Sequence, residues 1–166
     1  IMTGGSSLKT LLDSGGFAIT AEICPPRGAD TEEFVRKARM LKGKIVAANA
    51  TDNQRAVMRL SSLACSVILL REGIEPVFQM TCRDRNRLAV QSDALGAWAL
   101  GVKNILALTG DHVSFGDHRD AKAVYDLDSV QLVHAIDGLN KGRNMKDKPL
   151  RGGTGFYIGA VVAPEA

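Results

Sequence analysis

Cysteine is scarce in this chain, and what there is does not pair. Cys24, Cys65 and Cys82 form an odd set without C-x-x-C spacing and with no secretory leader pattern before them. A disulfide framework is therefore not expected, and the cytoplasm is the expected compartment. Histidine is equally sparse: His112, His118 and His134 lie apart, so no zinc-ligand spacing arises. Aromatics make up only 5% of the chain, and its basic residues are neither gathered on one face nor interleaved with rings, which argues against a nucleic-acid surface. No apolar run approaches the ~20 residues needed to cross a membrane. What remains is 45% hydrophobic with a formal net charge of +3, the composition of one domain over residues 1–166 with room for anionic cofactors or substrates.

Short β-rich runs recur through that domain: "FAITAEIC" (17–24), "KIVAANAT" (44–51), "EPVFQMTC" (75–82), "NILALTGD" (104–111) and "FYIGAVVA" (156–163). Helix-like stretches separate them. "TEEFVRKARMLKG" offers Thr31 as an N-cap, places Phe34, Val35, Ala38 and Leu41 on one face, and stops at Gly43. "MRLSSLACSVILLREG", "RLAVQSDALGAWALG" and "SVQLVHAIDGLN" repeat the design. The first four strands start roughly 28 residues apart, the rhythm of βα units with parallel strands and right-handed crossovers.

An open doubly wound sheet and a (β/α)8 TIM barrel both fit this rhythm. Polar residues gather at the carboxyl end of four successive strands: Glu22, then Thr51 and Asp52, then Thr81 and Arg83, then Thr109 and Asp111. A barrel keeps its site there on many strands, whereas an open sheet concentrates it beside one switch point. The fold expected is thus α/β of the (β/α)8 type. Five strands against the barrel's eight make the chain the first five-eighths of one.

Alternation along strand one puts Phe17, Ile19, Ala21 and Ile23 toward the helices and Ala18, Thr20, Glu22 and Cys24 toward the interior. Strand four is expected to do the same, with Leu106 and Leu108 toward the helices and Ala107, Thr109 and Asp111 toward the interior. Glu22 and Asp111 would then converge on one cavity. Two readings of Glu22 follow: a proton donor tuned by partial desolvation, or a structural ion pair with Arg27 or Arg83.

The blocks "TAEICPPRG", "NATDNQRAVMRLSSLA", "QMTCRDRNR", "ALTGDH", "VYDLDSVQL" and "FYIGAVVAPEA" together resemble the methylenetetrahydrofolate reductase family, in its acetogen-type branch. The resemblance implies FAD at the strand ends and reduction of 5,10-methylenetetrahydrofolate to 5-methyltetrahydrofolate in one-carbon metabolism and methionine biosynthesis. It makes Glu22 the general acid that protonates the folate amine leaving the methylene carbon, and Asp111 the carboxylate close to flavin and pterin. It places Thr51, Asp52, Gln79, Thr109, Gly110, Tyr125, Asp126 and Gly159 around the flavin. Gln79 and Thr109 depart from the His and Arg of better-known bacterial members. Tetrahydrofolate as substrate, NADH, NADPH or a ferredoxin-linked subunit as electron donor, and a homo- or hetero-oligomer are implied as partners. A flavin-free or tetrahydromethanopterin-linked reductase and a non-catalytic docking subunit are the alternatives.

Other signals read as structural. "GGTG" (152–155) precedes a strand and is not followed by a helix, so it is a loop and not a phosphate cradle. The basic stretch "NKGRNMKDKPLRGG" (140–153) reads as a solvated linker. Cys24 and Cys82 read as small packing residues, Trp98 as core, and His112 as a residue able to line the site.

Overall fold

The computed structural model describes residues 5–162, so Ala163 of the expected fifth strand lies outside the described residues. Five parallel strands form one sheet in sequence order: β1 Thr20–Ile23, β2 Ala47–Ala50, β3 Pro76–Thr81, β4 Asn104–Leu108 and β5 Tyr157–Ala160. Helices α2 (Glu32–Leu41), α3 (Ser62–Arg71), α4 (Arg87–Ala99) and α5 (Ser129–Asn140) make the crossovers. This sequential order is that of a partial (β/α) barrel. A doubly wound sheet would reverse order at a switch point.

Caps explain the helix starts. Ser61 accepts from Ala64 N, Asn86 from Leu88 and Ala89 N, and Asp128 forms a reciprocal capping box with Gln131. Thr31 is a correction: its side chain makes no cap, and Asp30 Oδ1 accepts from Glu32 N at 2.9 Å instead. Gly43 does end α2, at φ +78°.

The helix-facing core divides in two. Ile23, Ala48 and Ala50 pack on Phe34 and Ala38 of α2 and Leu69 of α3. Phe78, Met80, Ile105 and Ala107 pack on Val90 and Ala94 of α4 and Leu132 and Ile136 of α5. Trp98 belongs here, edge-on to Phe156 with ring centroids 5.3 Å apart. The "GGTG" stretch is a loop, tied down by Thr154 Oγ1 donating to Asn140 Oδ1 at 2.6 Å.

Two expectations about faces are overturned. Phe17 and Ile19 lie before the shortened β1 and are 87% and 55% exposed, because α2 covers only the level of Ile23. On β4 the faces are reversed: Ile105 and Ala107 meet the helices, while Leu106 packs on the opposite side with Leu8, Ala47 and Val77. Both faces of β4 are apolar, so size gave no direction; the two helices accommodate the β-branched Ile105.

A helix not expected from the sequence, α1 (Ser7–Asp13), closes the amino end of the inner face through Leu8. Glu75, just ahead of β3, holds its first turn: Ser7 N and Leu8 N donate to the carboxylate at 2.7 and 3.0 Å, and Asn104 Nδ2 donates at 2.9 Å. Burial pushes the Glu75 carboxyl up, but these donors outweigh it and leave its pKa below the ordinary value.

A carboxyl depressed in the fold contributes stability above its unfolded pKa and loses it as pH falls through the folded one. In the intact protein, the amides of Ser7 and Leu8 should therefore lose hydrogen-exchange protection in that acid window before the strands do. Glu75→Gln should abolish this acid step; an identical pH profile in the variant would refute the anchor.

Candidate functional site

The carboxyl ends of the strands are organised by Asp52. It follows β2, is buried, and accepts from Thr81 N and Thr81 Oγ1, both at 2.9 Å, and from Arg85 Nη1 at 2.6 Å. Arg85 continues to Asp93 of α4 at 2.9 Å. The ends of β2 and β3 and the start of α4 are thus joined through one carboxylate. Its oxygens are taken by protein donors, so Asp52 shapes the site from beneath rather than presenting a free group.

From this anchor the chain enters a left-handed run. Asn53, Arg55 and Ala56 have φ of 45°, 58° and 56° around a short 3-10 turn at Gln54–Ala56. Such backbone costs free energy for residues with a β-carbon, so neighbours must hold it. Asn53 Oδ1 accepts from Arg59 N at 2.9 Å, and Asp117 Oδ1 accepts from Met58 N at 3.2 Å. Gly116 lies under the turn, where an added β-carbon would sit 1.8 Å from Ala56 O.

Both carboxylates singled out in the sequence meet this turn. Gln54 Nε2 donates to Glu22 Oε1 at 3.1 Å, and Arg55 N donates to Asp111 Oδ2 at 2.9 Å. The ends of the first and fourth strands are thus tied to consecutive residues of a third loop. Glu22 itself is exposed, not in the desolvated pocket expected, because the inner face beside β1 is open among the described residues. It pairs with neither Arg27 nor Arg83.

The sequence profile of methylenetetrahydrofolate reductase matches residues 7–144, which span α1 through α5 and all the strand ends just described. The chain belongs to the methylenetetrahydrofolate reductase family. It is also 29% identical over 126 residues to a 5,10-methylenetetrahydrofolate reductase of Pectobacterium carotovorum subsp. carotovorum, an overlap covering 74% of this chain. The chain spans 41% of that relative's length.

The other positions assigned through the family resemblance fall into three pairs and one single residue, Thr51. Gln79, Leu106 and Gly159 are register neighbours across the inner face, and a β-carbon at Gly159 would come within 3.1 Å of Leu106 Cδ1. Gly110, at φ +94°, breaks the extended backbone after β4, and Tyr125 Oη reaches the carbonyls of Gly110 and Asp111 at 3.2 and 3.0 Å. Thr109 and Asp126 turn to the helices: Thr109 Oγ1 accepts from Ser129 N at 3.1 Å, and Asp126 binds the Arg87 guanidinium, which draws its pKa down to about 2. Thr51 is buried beside Cys24, its hydroxyl 3.6 Å from that sulfur. His112 caps the Val113–Phe115 turn, its Nδ1 accepting from Ser114 N at 3.2 Å.

Sequence reasoning missed Gln54 and Arg55, which do the joining, and the extent of Arg83's burial. Arg83 has a 2% exposed side chain, paired with Asp84 at 2.6 Å and donating to Asp111 O at 3.3 Å. The left-handed turn has no glycine to announce it, and a residue that donates through its backbone leaves no side-chain signal. Burial pushes the Cys82 thiol up to about 11, in keeping with its reading as a packing residue, and pushes Cys65 up to about 12. Among the described residues no cluster suited to a metal ion occurs, and no helix is long and apolar enough to cross a membrane. A concavity of about 620 Å³ runs along α2, lined by residues from Thr31 to Met40 and by none of the predicted site residues.

Removing one partner of a buried ion pair costs about 3–5 kcal/mol because the other charge is stranded. Asp52→Ala should lie near the low end, about 3 kcal/mol, since Arg85 keeps Asp93. Urea unfolding of the intact protein measures this, and a loss under about 1 kcal/mol would remove Asp52 as the anchor.

Proposed function

We propose that the chain forms the amino-terminal part of a flavin-dependent reductase that converts 5,10-methylenetetrahydrofolate to 5-methyltetrahydrofolate. The observation that carries this reading is the Gln54–Ala56 turn, which holds Glu22 on one side and the Asp111 carboxylate on the other. Family membership supplies the reaction class.

The residues fit a flat heterocyclic cofactor. Gly159 adds no side chain to the inner face, Leu106 gives it an apolar floor, and the buried Gln79 brings an amide to the same row. Thr51, Gln79, Gly110 and Gly159 would hold FAD along this row, with Tyr125 buttressing Gly110 from behind. FAD, when bound, supplies the hydride.

Glu22 moves the proton. Gln54 engages Oε1, which fixes the carboxyl group and leaves Oε2 to carry a proton to the amine that leaves the methylene carbon. A ligand seated over an exposed carboxyl excludes water from it, and desolvation favours a carboxyl's neutral form. Asp111 acts differently. Its charge, fixed by the Arg55 amide, favours positive charge developing on the pterin and accepts hydrogen bonds from the pterin amino group.

In the intact enzyme, Glu22→Gln should keep reduction of the flavin by the electron donor and lose about 10²- to 10⁴-fold in folate turnover. Rapid mixing separates the two half-reactions; unchanged folate turnover would refute the assignment. Asp111→Asn should raise the flavin reduction potential and weaken folate binding together, since one charge serves both. A variant unaltered in potential and in folate affinity would take Asp111 out of the site.

A further inference from the structure

Of the three cysteines, Cys65 and Cys82 are buried and Cys24 is not. It follows β1 directly, two residues beyond Glu22, so both side chains leave the strand end on the same side. Both meet one amide. Gln54 Nε2 donates to Glu22 Oε1 at 3.1 Å, and Gln54 Oε1 accepts from the Cys24 thiol at 3.4 Å. Behind the thiol, the hydroxyl of buried Thr51 donates to its sulfur across 3.6 Å. The side chains thus form one directed chain, from hydroxyl to thiol to amide to carboxylate.

Direction is what such a chain decides. A carboxamide has much the same shape either way round, but its nitrogen only donates and its oxygen only accepts. With the nitrogen toward Glu22, Oε1 receives a hydrogen bond and Oε2 stays free to carry the proton. Turned over, the amide oxygen would accept that proton, and the acid would point into the protein instead of at the substrate amine. An ionised Glu22 keeps the nitrogen toward it by charge alone. A protonated Glu22, the form that acts as the acid, makes no such choice, since it can accept from the nitrogen or donate to the oxygen. Gln54 is exposed, and among the described residues its side chain bonds only to Glu22 and Cys24. The choice therefore falls to the thiol, whose single proton requires the amide oxygen.

We infer that Cys24 is a positioning residue for the proton transfer: with Thr51 behind it, it holds the Gln54 nitrogen toward Glu22 whether or not Glu22 carries a proton. This rests on the reading of Glu22 as the general acid. It departs from the sequence reading of Cys24 as a packing residue, a role that makes no demand on hydrogen bonding.

The test mixes the intact enzyme, its flavin reduced, with 5,10-methylenetetrahydrofolate and follows a single turnover. Cys24→Ala should slow this half-reaction about 3- to 10-fold, the worth of one hydrogen bond, while folate affinity and flavin reduction by the electron donor stay unchanged. Cys24→Ser keeps a donor and should recover most of the loss. A packing role predicts the reverse order, since alanine suits an apolar contact and serine does not. In a Gln54→Leu background, Cys24→Ala should cost nothing further, because the group it acts through is gone. Equal rates for the alanine and serine variants, losses that add in the double variant, or a loss in folate binding alone would overturn the inference. Glu22→Gln in the same assay separates it from the reading beneath it. If that change leaves turnover intact, both fall; if it abolishes turnover while Cys24→Ala does nothing, the acid stands and the thiol has no part in positioning it.

Discussion

The arrangement of the strand ends depends on one buried carboxylate. Asp52 holds Thr81 and Arg85 at once, and so sets how β2, β3 and α4 meet. Such a clamp is poor evidence for net stability, since desolvating both charges offsets most of their attraction. Its value lies in geometry. A hydrophobic pair of the same volume would pack without fixing direction, whereas a carboxylate after β2 with two donors on Thr81 of β3 and a third on Arg85 ahead of α4 allows one arrangement. The residues that follow can then be held in left-handed backbone, because the chain enters the turn from a fixed point.

That turn links two parts of the sheet that do not touch. β1 and β4 are separated by two strands, yet Glu22 at the end of one and Asp111 beyond the other are held by consecutive residues, Gln54 through its side chain and Arg55 through its amide. The strain of φ near +58° at Arg55 is met locally by Asp111, so the carboxylate proposed to face the pterin also stabilises the backbone that positions it. Gly116 completes the arrangement from the far loop, where nothing larger fits beneath Ala56.

Much of this was legible in the residues, and the misses have physical causes. The strand and helix order followed from periodicity and caps, and the polar strand ends marked the residues that Asp52 and the Gln54–Ala56 turn hold together, because those signals are local. Facing on β4 was not legible, since Leu106 and Ile105 are both apolar and only the packing of α4, α5 and α1 decides between them. Phe17 and Ile19 looked like core by composition but lie where no described helix reaches. Asp52 and Asp126 were recognisable as strand-end and loop acids, yet their partners Arg85 and Arg87 precede or begin α4, and nothing in the spacing shows which acid each arginine will take. Arg55 acts through its backbone, which no reading of side chains can find.

The distribution of charge around the turn extends the same logic. The Thr109 hydroxyl accepts from Ser129 N at the start of α5. Arg83 is near, but Asp84 holds it at 2.6 Å and its remaining donor faces a carbonyl, so its charge is matched within the protein. Arg27, Arg55 and Arg59, which line one cleft on the other side of the turn, are among the arginines that form no ion pair among the described residues. Acids thus lie on one side of a three-residue wall and cations on the other. Because the wall is fixed by Asp52, Asp111 and Gly116 together, that polarity would be present before any ligand arrives, and orientation would cost little reorganisation.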